Sequence, residues 1–221
     1  MTIKTHLEQL SALGKWIQGN NWCPATSGNL STRLPDHDNF WISVSGKYKG
    51  ELTPEDFIEV NTQGEPVSCN KRPSAETLLH ALIYKHYPET TFVLHTHSVY
   101  GTVLSQVESQ VEQCQDEKSQ TAPANVLRFQ DYELQKAFTG VDTHEGVFSL
   151  PMFKNSQNME ALAADISAYL EQGNAPHGFI LAGHGLYTWG CDAEDAKRHL
   201  EALEFLFECE YKRRLLTVGR R

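Results

Sequence analysis

The stretch Phe92-Val93-Leu94-His95-Thr96-His97-Ser98 is a short apolar run that ends in two histidines separated by one residue. Such a run, entered through Thr91 and closed by polar positions, reads as a buried strand. Side chains alternate along a strand, so His95 and His97 point to one face and converge, as two imidazoles must to share a metal ion. A second apolar run, Gly178-Phe179-Ile180-Leu181-Ala182, also ends in a histidine, within Gly183-His184-Gly185. Two strand mouths therefore offer three imidazoles. Three protein ligands with an open fourth position are the pattern of a catalytic zinc site, whereas a structural site is usually closed by four. A lone histidine at a strand end more often bonds to the backbone. The His-x-His spacing tips the balance towards metal.

Composition narrows the class. At 221 residues and 40% hydrophobic content, the chain can bury one sizeable core, so one domain spanning 1–221 is expected. A formal net charge of -9 argues against nucleic acid as a partner, because phosphate backbones call for clustered Lys and Arg. A single phosphate on a small molecule needs only a few backbone N–H groups and one or two cations, so it remains open. The five cysteines, Cys23, Cys69, Cys114, Cys191 and Cys209, are odd in number and contain no Cys-x-x-Cys pair. Reduced thiols in a cytoplasmic protein are expected. No signal-peptide pattern opens the chain and no run approaches the roughly 18 apolar residues of a membrane span.

Along the chain, Ile3, Leu7, Leu10, Leu13 and Ile17 recur at helical spacing and predict an opening amphipathic helix that stops near Gly19. Ala25-Thr26-Ser27-Gly28-Asn29-Leu30-Ser31 is small and polar. It reads either as an ordinary turn or as a loop that brings N–H groups and hydroxyls onto an anion, with Gly28 allowing close approach. Phe40 to Val44 predicts a strand, followed by a second small polar turn, Ser45-Gly46-Lys47, with Lys49 nearby. Phe57 to Val60 is a short strand. Pro73-Ser74-Ala75-Glu76 starts a helix with Leu78, Leu79, Leu82 and Ile83 as its stripe, and Glu76 there could simply complement the helix dipole. Residues 106–122 are rich in Gln, Glu and Ser and read as an excursion or an extended helix end. Val126 to Phe129 resumes order, Tyr132 to Phe138 looks helical, and Val147 to Leu150 is a strand closed by Pro151. A helix from about Asn158 to Gln172 leads into the second histidine strand. Leu186 to Trp189 follows as another strand, and Asp192 caps a long last helix that ends at Lys212-Arg213-Arg214. The pattern is an α/β layered domain with a central, largely antiparallel sheet flanked by helices.

Taken in order, Thr26-Ser27-Gly28-Asn29-Leu30-Ser31, Ser45-Gly46, Pro73-Ser74-Ala75-Glu76, His95-Thr96-His97-Ser98 and Gly183-His184-Gly185 resemble the class II aldolase and adducin family over nearly the whole chain. Within it, the segments Phe129-Gln130-Asp131-Tyr132-Glu133-Leu134-Gln135-Lys136-Ala137 and Pro151-Met152-Phe153-Lys154-Asn155 are similar to the family's dehydratase branch. So is the ending His184-Gly185-Leu186-Tyr187-Thr188-Trp189-Gly190 with Glu201-Ala202-Leu203-Glu204. The resemblance implies one zinc ion per subunit on His95, His97 and His184. It also implies that Ser27, Gly28, Asn29, Ser45, Gly46 and Ser74 gather around a substrate phosphate. The aldolases usually carry a second hydroxyl where this chain has Ala75, so one phosphate contact is either missing or supplied by Lys49. A homo-oligomer, a homotetramer by the same resemblance, is implied too.

The activity implied is removal of water from a ketose 1-phosphate that bears a methylthio group on C5. One carboxylate would take the C3 proton and protonate the departing C4 hydroxyl, provided burial raises its pKa. Glu133 is the first choice because it lies in the dehydratase-like segment, and Glu76, in the position of the aldolase base, is the second. Retro-aldol cleavage would use the same metal and phosphate sites. A non-catalytic scaffold of the adducin kind is the remote alternative, disfavoured by the three intact histidines.

Overall fold

β4 (Phe92–Thr96) is buried at every position and hydrogen-bonded on both sides, to β1 (Asn29–Thr32) and to β8 (Gly185–Gly190), antiparallel in each case. The computed structural model describes residues 2–67, 71–112, 125–173, 175 and 177–218. β2 (Phe40–Ser43), β3 (Phe57–Val60), β5 (Asn125–Phe129), β6 (Phe148–Phe153) and β7 (Gly178–Leu181) complete one eight-stranded sheet in the order β3-β2-β1-β4-β8-β7-β6-β5. Every pairing is antiparallel except β6 with β7. The layered, largely antiparallel α/β architecture is therefore the one expected.

Strand alternation divides the core into two halves. Leu30, Phe92, Leu94 and Leu186 face α1 (Ile3–Gly19) and α5 (Ala193–Val218), together with Leu104 of α3 (Val99–Glu112). Val93, Phe40, Ile42 and Tyr187 face α2 (Thr77–His86) and α4 (Met159–Leu170). Each fully buried Leu, Ile or Phe contributes roughly 1.5–3 kcal/mol, so both helical layers are held mainly by this burial. Asp192 caps α5 as expected, accepting from the Asp195 N–H at 2.8 Å.

Several expectations are corrected. Asn29 to Ser31, read within a small polar segment, belongs to a central strand, Asn29–Thr32, whose polar side chains find partners inside the protein. Pro151 does not close β6, which runs on to Phe153. Its missing N–H costs nothing there because pairing with β7 begins only at Met152. Tyr132 to Phe138 holds a 3-10 turn, Glu133–Ala137, rather than an α-helix. α5 continues past Lys212-Arg213-Arg214 to Val218, and Arg213 and Arg214 are engaged sideways by Glu210 rather than by the helix end. Of the polar stretch 106–122, the part to Glu112 extends α3. The remainder, like Cys69 and Cys114, lies outside the described residues.

Candidate metal centre and adjoining cleft

The end of β4 and the turn between β7 and β8 bring the three expected histidines together. His95 is the fourth residue of the buried strand β4, and the His97 N–H donates to the Trp22 carbonyl at 2.7 Å just beyond its end. His184 sits in the β7–β8 turn, where Thr102 of α3 donates to its carbonyl and Ser105 accepts from the Gly183 N–H. Gly185 makes the approach possible. A Cβ there would overlap the Thr96 carbonyl oxygen and come within 2.9 Å of His95 Cε1 and 3.0 Å of His97 Cδ2.

The donor atoms fit a metal ion. The Nε2 atoms of His95 and His97 are 2.8 Å apart, and Glu76 places Oε2 3.2 Å from His95 Nε2 and Oε1 3.0 Å from His184 Nε2. Ligand atoms of Glu76, His95, His97 and His184 all lie within 4.8 Å of one another. A tetrahedral zinc ion with bonds of about 2.0–2.1 Å spaces its ligands by about 3.3 Å, so the cluster needs little adjustment to hold one. The His95 Nδ1–H donates to the Leu186 carbonyl at 2.9 Å, which leaves the Nε2 lone pair directed inward. Burial, reinforced by the neighbouring histidines, lowers the His97 pKa to about 3, keeping it a neutral ligand. Burial would raise the Glu76 carboxyl, but His95 and His184 outweigh it and hold the group well below the usual carboxylate range.

Beside the cluster a cleft of about 280 Å³ is lined by residues 25–29, 44–46 and 74–76 and by His97. Ser27, Gly28, Asn29, Ser45, Gly46 and Ser74 are all there. The N-terminal end of α2 forms one wall, where the helix dipole favours an anion. The hydroxyl of the cleft residue Ser27 is buried without a partner among the described residues, and an anion in the cleft would satisfy it. The loop backbone is left-handed at Ala25 (φ 51°), Thr26 (φ 64°) and Gly28 (φ 75°). For β-branched Thr26 this conformation is strained and persists only because its surroundings impose it. A Cβ at residue 28 would fall 2.5 Å from both Cys23 Sγ and the His95 carbonyl oxygen.

Two expected residues stand elsewhere. Lys49 is 1% exposed and does not line the cleft; its ammonium donates to the carbonyls of Thr26 and Lys47 instead. Glu133 lies on the exposed 3-10 turn, paired with Lys136 and, at 3.0 Å, with His144, and the Lys136 ammonium lowers its pKa. It borders a separate, mainly apolar groove with Tyr132, Leu134, Phe205 and Cys209. Sequence reasoning missed Tyr187, whose buried ring stacks on His95 at 3.9 Å. The signal was the cross-strand register that places it opposite His95, which no local pattern discloses. It missed His80 as well.

Residues 8–211 match the family described as Class II Aldolase and Adducin N-terminal domain. The chain belongs to the class II aldolase and adducin family. Members that it resembles include a protein named methylthioribulose-1-phosphate dehydratase from Yersinia pestis (strain Pestoides F), 45% identical over 219 residues, 99% of this chain and 92% of the relative. One of the same name from Serratia proteamaculans (strain 568) is 45% identical, covering 99% of this chain and all of the relative. Among class II aldolase structures, L-fuculose-1-phosphate aldolase from Thermus thermophilus superposes with a TM-score of 0.71. It is 22% identical over 97% of this chain and 98% of that one, so the likeness is one of fold.

Proposed function

We propose that this chain is a zinc-dependent methylthioribulose-1-phosphate dehydratase of methionine salvage, a hydro-lyase that converts 5-methylthioribulose 1-phosphate to 2,3-diketo-5-methylthiopentyl 1-phosphate. The observation that carries the reading is the joining of a three-histidine centre to a small polar cleft, in a chain 45% identical end to end to proteins of that name. A zinc ion held by His95, His97 and His184 would draw electron density from the C2 carbonyl and the C3 hydroxyl, acidifying the C3 proton.

The chain's own groups do the rest. The hydroxyls of Ser27, Ser45 and Ser74 and the backbone of Gly28 and Gly46 hold the phosphate. A carboxylate takes the C3 proton and the C4 hydroxyl leaves with a proton as water. The resulting C3 enol then picks up a proton at C4 to become the second ketone. Glu76 lines the cleft and lies against His95 and His184, which would put it beside the reacting carbons. Glu133 is the dehydratase-segment carboxylate, and it can serve only if a second copy of the chain brings its 3-10 turn to the cleft. A homo-oligomer meets that need, and the exposed Leu134 and Phe205 beside Glu133 are suited to an interface. A cytoplasmic location accords with Cys23, Cys191 and Cys209 being free thiols. Among the described residues no helix is long and apolar enough to cross a membrane.

Retro-aldol cleavage is the second reading, favoured by the placement of Glu76 against the histidines. Incubating the zinc-loaded protein with 5-methylthioribulose 1-phosphate separates the two. Loss of one water from the substrate mass is expected, and two shorter fragments would replace the dehydratase with an aldolase.

A further inference from the structure

Behind Glu76 lies a file of buried polar side chains that begins at Asn29, a cleft residue whose amide is taken up by Glu76 and His80. Asn29 and Ser31 alternate on one face of β1, and His80 and Tyr84 stand one turn apart on the facing side of α2. All four are at most 4% exposed. The Asn29 Nδ2 lies 2.6 Å from Glu76 Oε2, and the Asn29 Oδ1 is hydrogen-bonded to His80 Nε2. His80 Nδ1 is 2.6 Å from Ser31 Oγ, which is 2.8 Å from the Tyr84 hydroxyl.

Chemistry assigns every proton in this file. An ionised carboxylate only accepts, so Asn29 must turn its NH2 to Glu76 and its carbonyl oxygen to His80. That oxygen also only accepts, so the His80 proton sits on Nε2. Neutral imidazole has one N–H, so Nδ1 accepts from the Ser31 hydroxyl, whose oxygen in turn accepts from Tyr84. The chain runs in one direction, Tyr84 to Ser31 to His80 to Asn29 to Glu76. Such bonds polarise one another in a buried setting.

The geometry points to His80 as a positioning residue for the proposed reaction: by donating from Nε2 to Asn29, it locks the Asn29 amide so that its NH2 holds Glu76 against the histidine cluster. Without that donor the Asn29 carbonyl oxygen is left buried and unpaired, and the amide is no longer fixed at both ends beneath the carboxylate. The His80 ring also meets Tyr187 edge-on, and Tyr187 stacks on His95, so the same side chain braces the metal centre by a second route. This inference rests on the dehydratase reading for its kinetic part only.

The test uses the full-length protein carrying nitrogen-labelled histidine, with His80→Phe and His80→Gln beside it. Phe fills the space without a donor, whereas Gln restores an N–H towards Asn29. Loss of such an outer partner typically costs about 10- to 100-fold in activity or metal affinity. We expect His80→Phe to lose that much in kcat or in zinc affinity measured against a competing chelator, with a smaller change in KM. We expect His80→Gln to recover part of the loss. The wild-type His80 nitrogen spectrum should show the proton on Nε2. A proton on Nδ1 overturns the inference, as does a folded His80→Phe within about twofold of wild type in both kcat and zinc affinity, or a Gln variant no better than Phe. If His80→Phe fails to fold, the Gln variant and the wild-type spectrum still decide. Spectrum and zinc affinity need no substrate, so a wild-type protein that dehydrates nothing counts against the dehydratase reading alone.

Discussion

The ammonium of Lys49 lies 2.8 Å from the carbonyl oxygen of Thr26 and 2.7 Å from that of Lys47, tying the left-handed loop before β1 to the turn after β2. Both segments line the cleft, so a cation outside its lining ties together two of the parts that a phosphate would meet. Lys49→Met keeps the apolar stem but leaves two carbonyls without their donor. A fully buried unsatisfied group costs about 1–3 kcal/mol, and these carbonyls belong to half-buried residues, so a loss towards the lower end of that range is expected in urea unfolding. KM for the phosphate ester should rise more than kcat falls. An unchanged KM with unchanged stability would show that the two segments hold themselves.

Removing one imidazole tests the metal centre directly. His97→Ala should lose its zinc, and with it the activity, while still unfolding cooperatively, because a chain that buries this much apolar surface does not depend on a metal for its core. Metal analysis beside a urea melt reads both outcomes. Full zinc content in the variant would remove His97 from the ligand set.

The two carboxylates are separated by paired substitutions. Glu133→Gln and Glu76→Gln each preserve size while removing a proton acceptor. Loss of general acid/base catalysis typically costs about 10²- to 10⁴-fold in rate. The dehydratase-segment reading expects Glu133→Gln to fall towards the upper end and to lose exchange of the C3 proton in deuterated water. Near-normal turnover and exchange in Glu133→Gln, with both lost in Glu76→Gln, would make Glu76 the base.

Glu204 of α5 is 3% exposed directly behind the histidine strand, where the Thr96 hydroxyl donates to it at 3.1 Å. Burial pushes its pKa from 4.5 up to about 7. Between those values the unfolded chain has released the proton and the folded one keeps it, so stability falls as pH rises through this window. The full loss, reached above the folded pKa, is about 3 kcal/mol. Glu204→Gln cannot ionise, so its stability should stay flat where the wild type declines and should exceed the wild type at the alkaline end. Parallel urea melts across pH measure this, and identical slopes for the two proteins would place the titration elsewhere.

The parts of the fold legible in the sequence are those where periodicity and burial agree. α1, α5, the Asp192 cap and the two histidine strands each carry their apolar pattern locally. β1 was not legible because Asn29, Ser31 and Thr32 look like turn residues. Their partners, His80, Tyr84, His6 and the Thr91 carbonyl, come from distant segments. The site divides in the same way. Strand alternation, which acts over a few residues, pointed to the three histidines, whereas the six cleft residues followed from the family resemblance, since their own sequence reads equally as ordinary turns. The direction of the Lys49 ammonium, the pairing of Tyr187 with His95 and the surface position of Glu133 depend on tertiary packing.

Gly185 bears on how the site tolerates change. Two imidazoles and a carbonyl occupy the volume that any side chain at this position would need, so Gly185→Ala forces His95 and His97 apart although residue 185 itself binds nothing. A mutational survey confined to side chains with donor atoms would pass over it. A complete one should find position 185 as intolerant as the ligands, with variants that fold yet hold zinc poorly. The close approach of these histidines thus depends partly on a steric allowance that a single methyl group would use up.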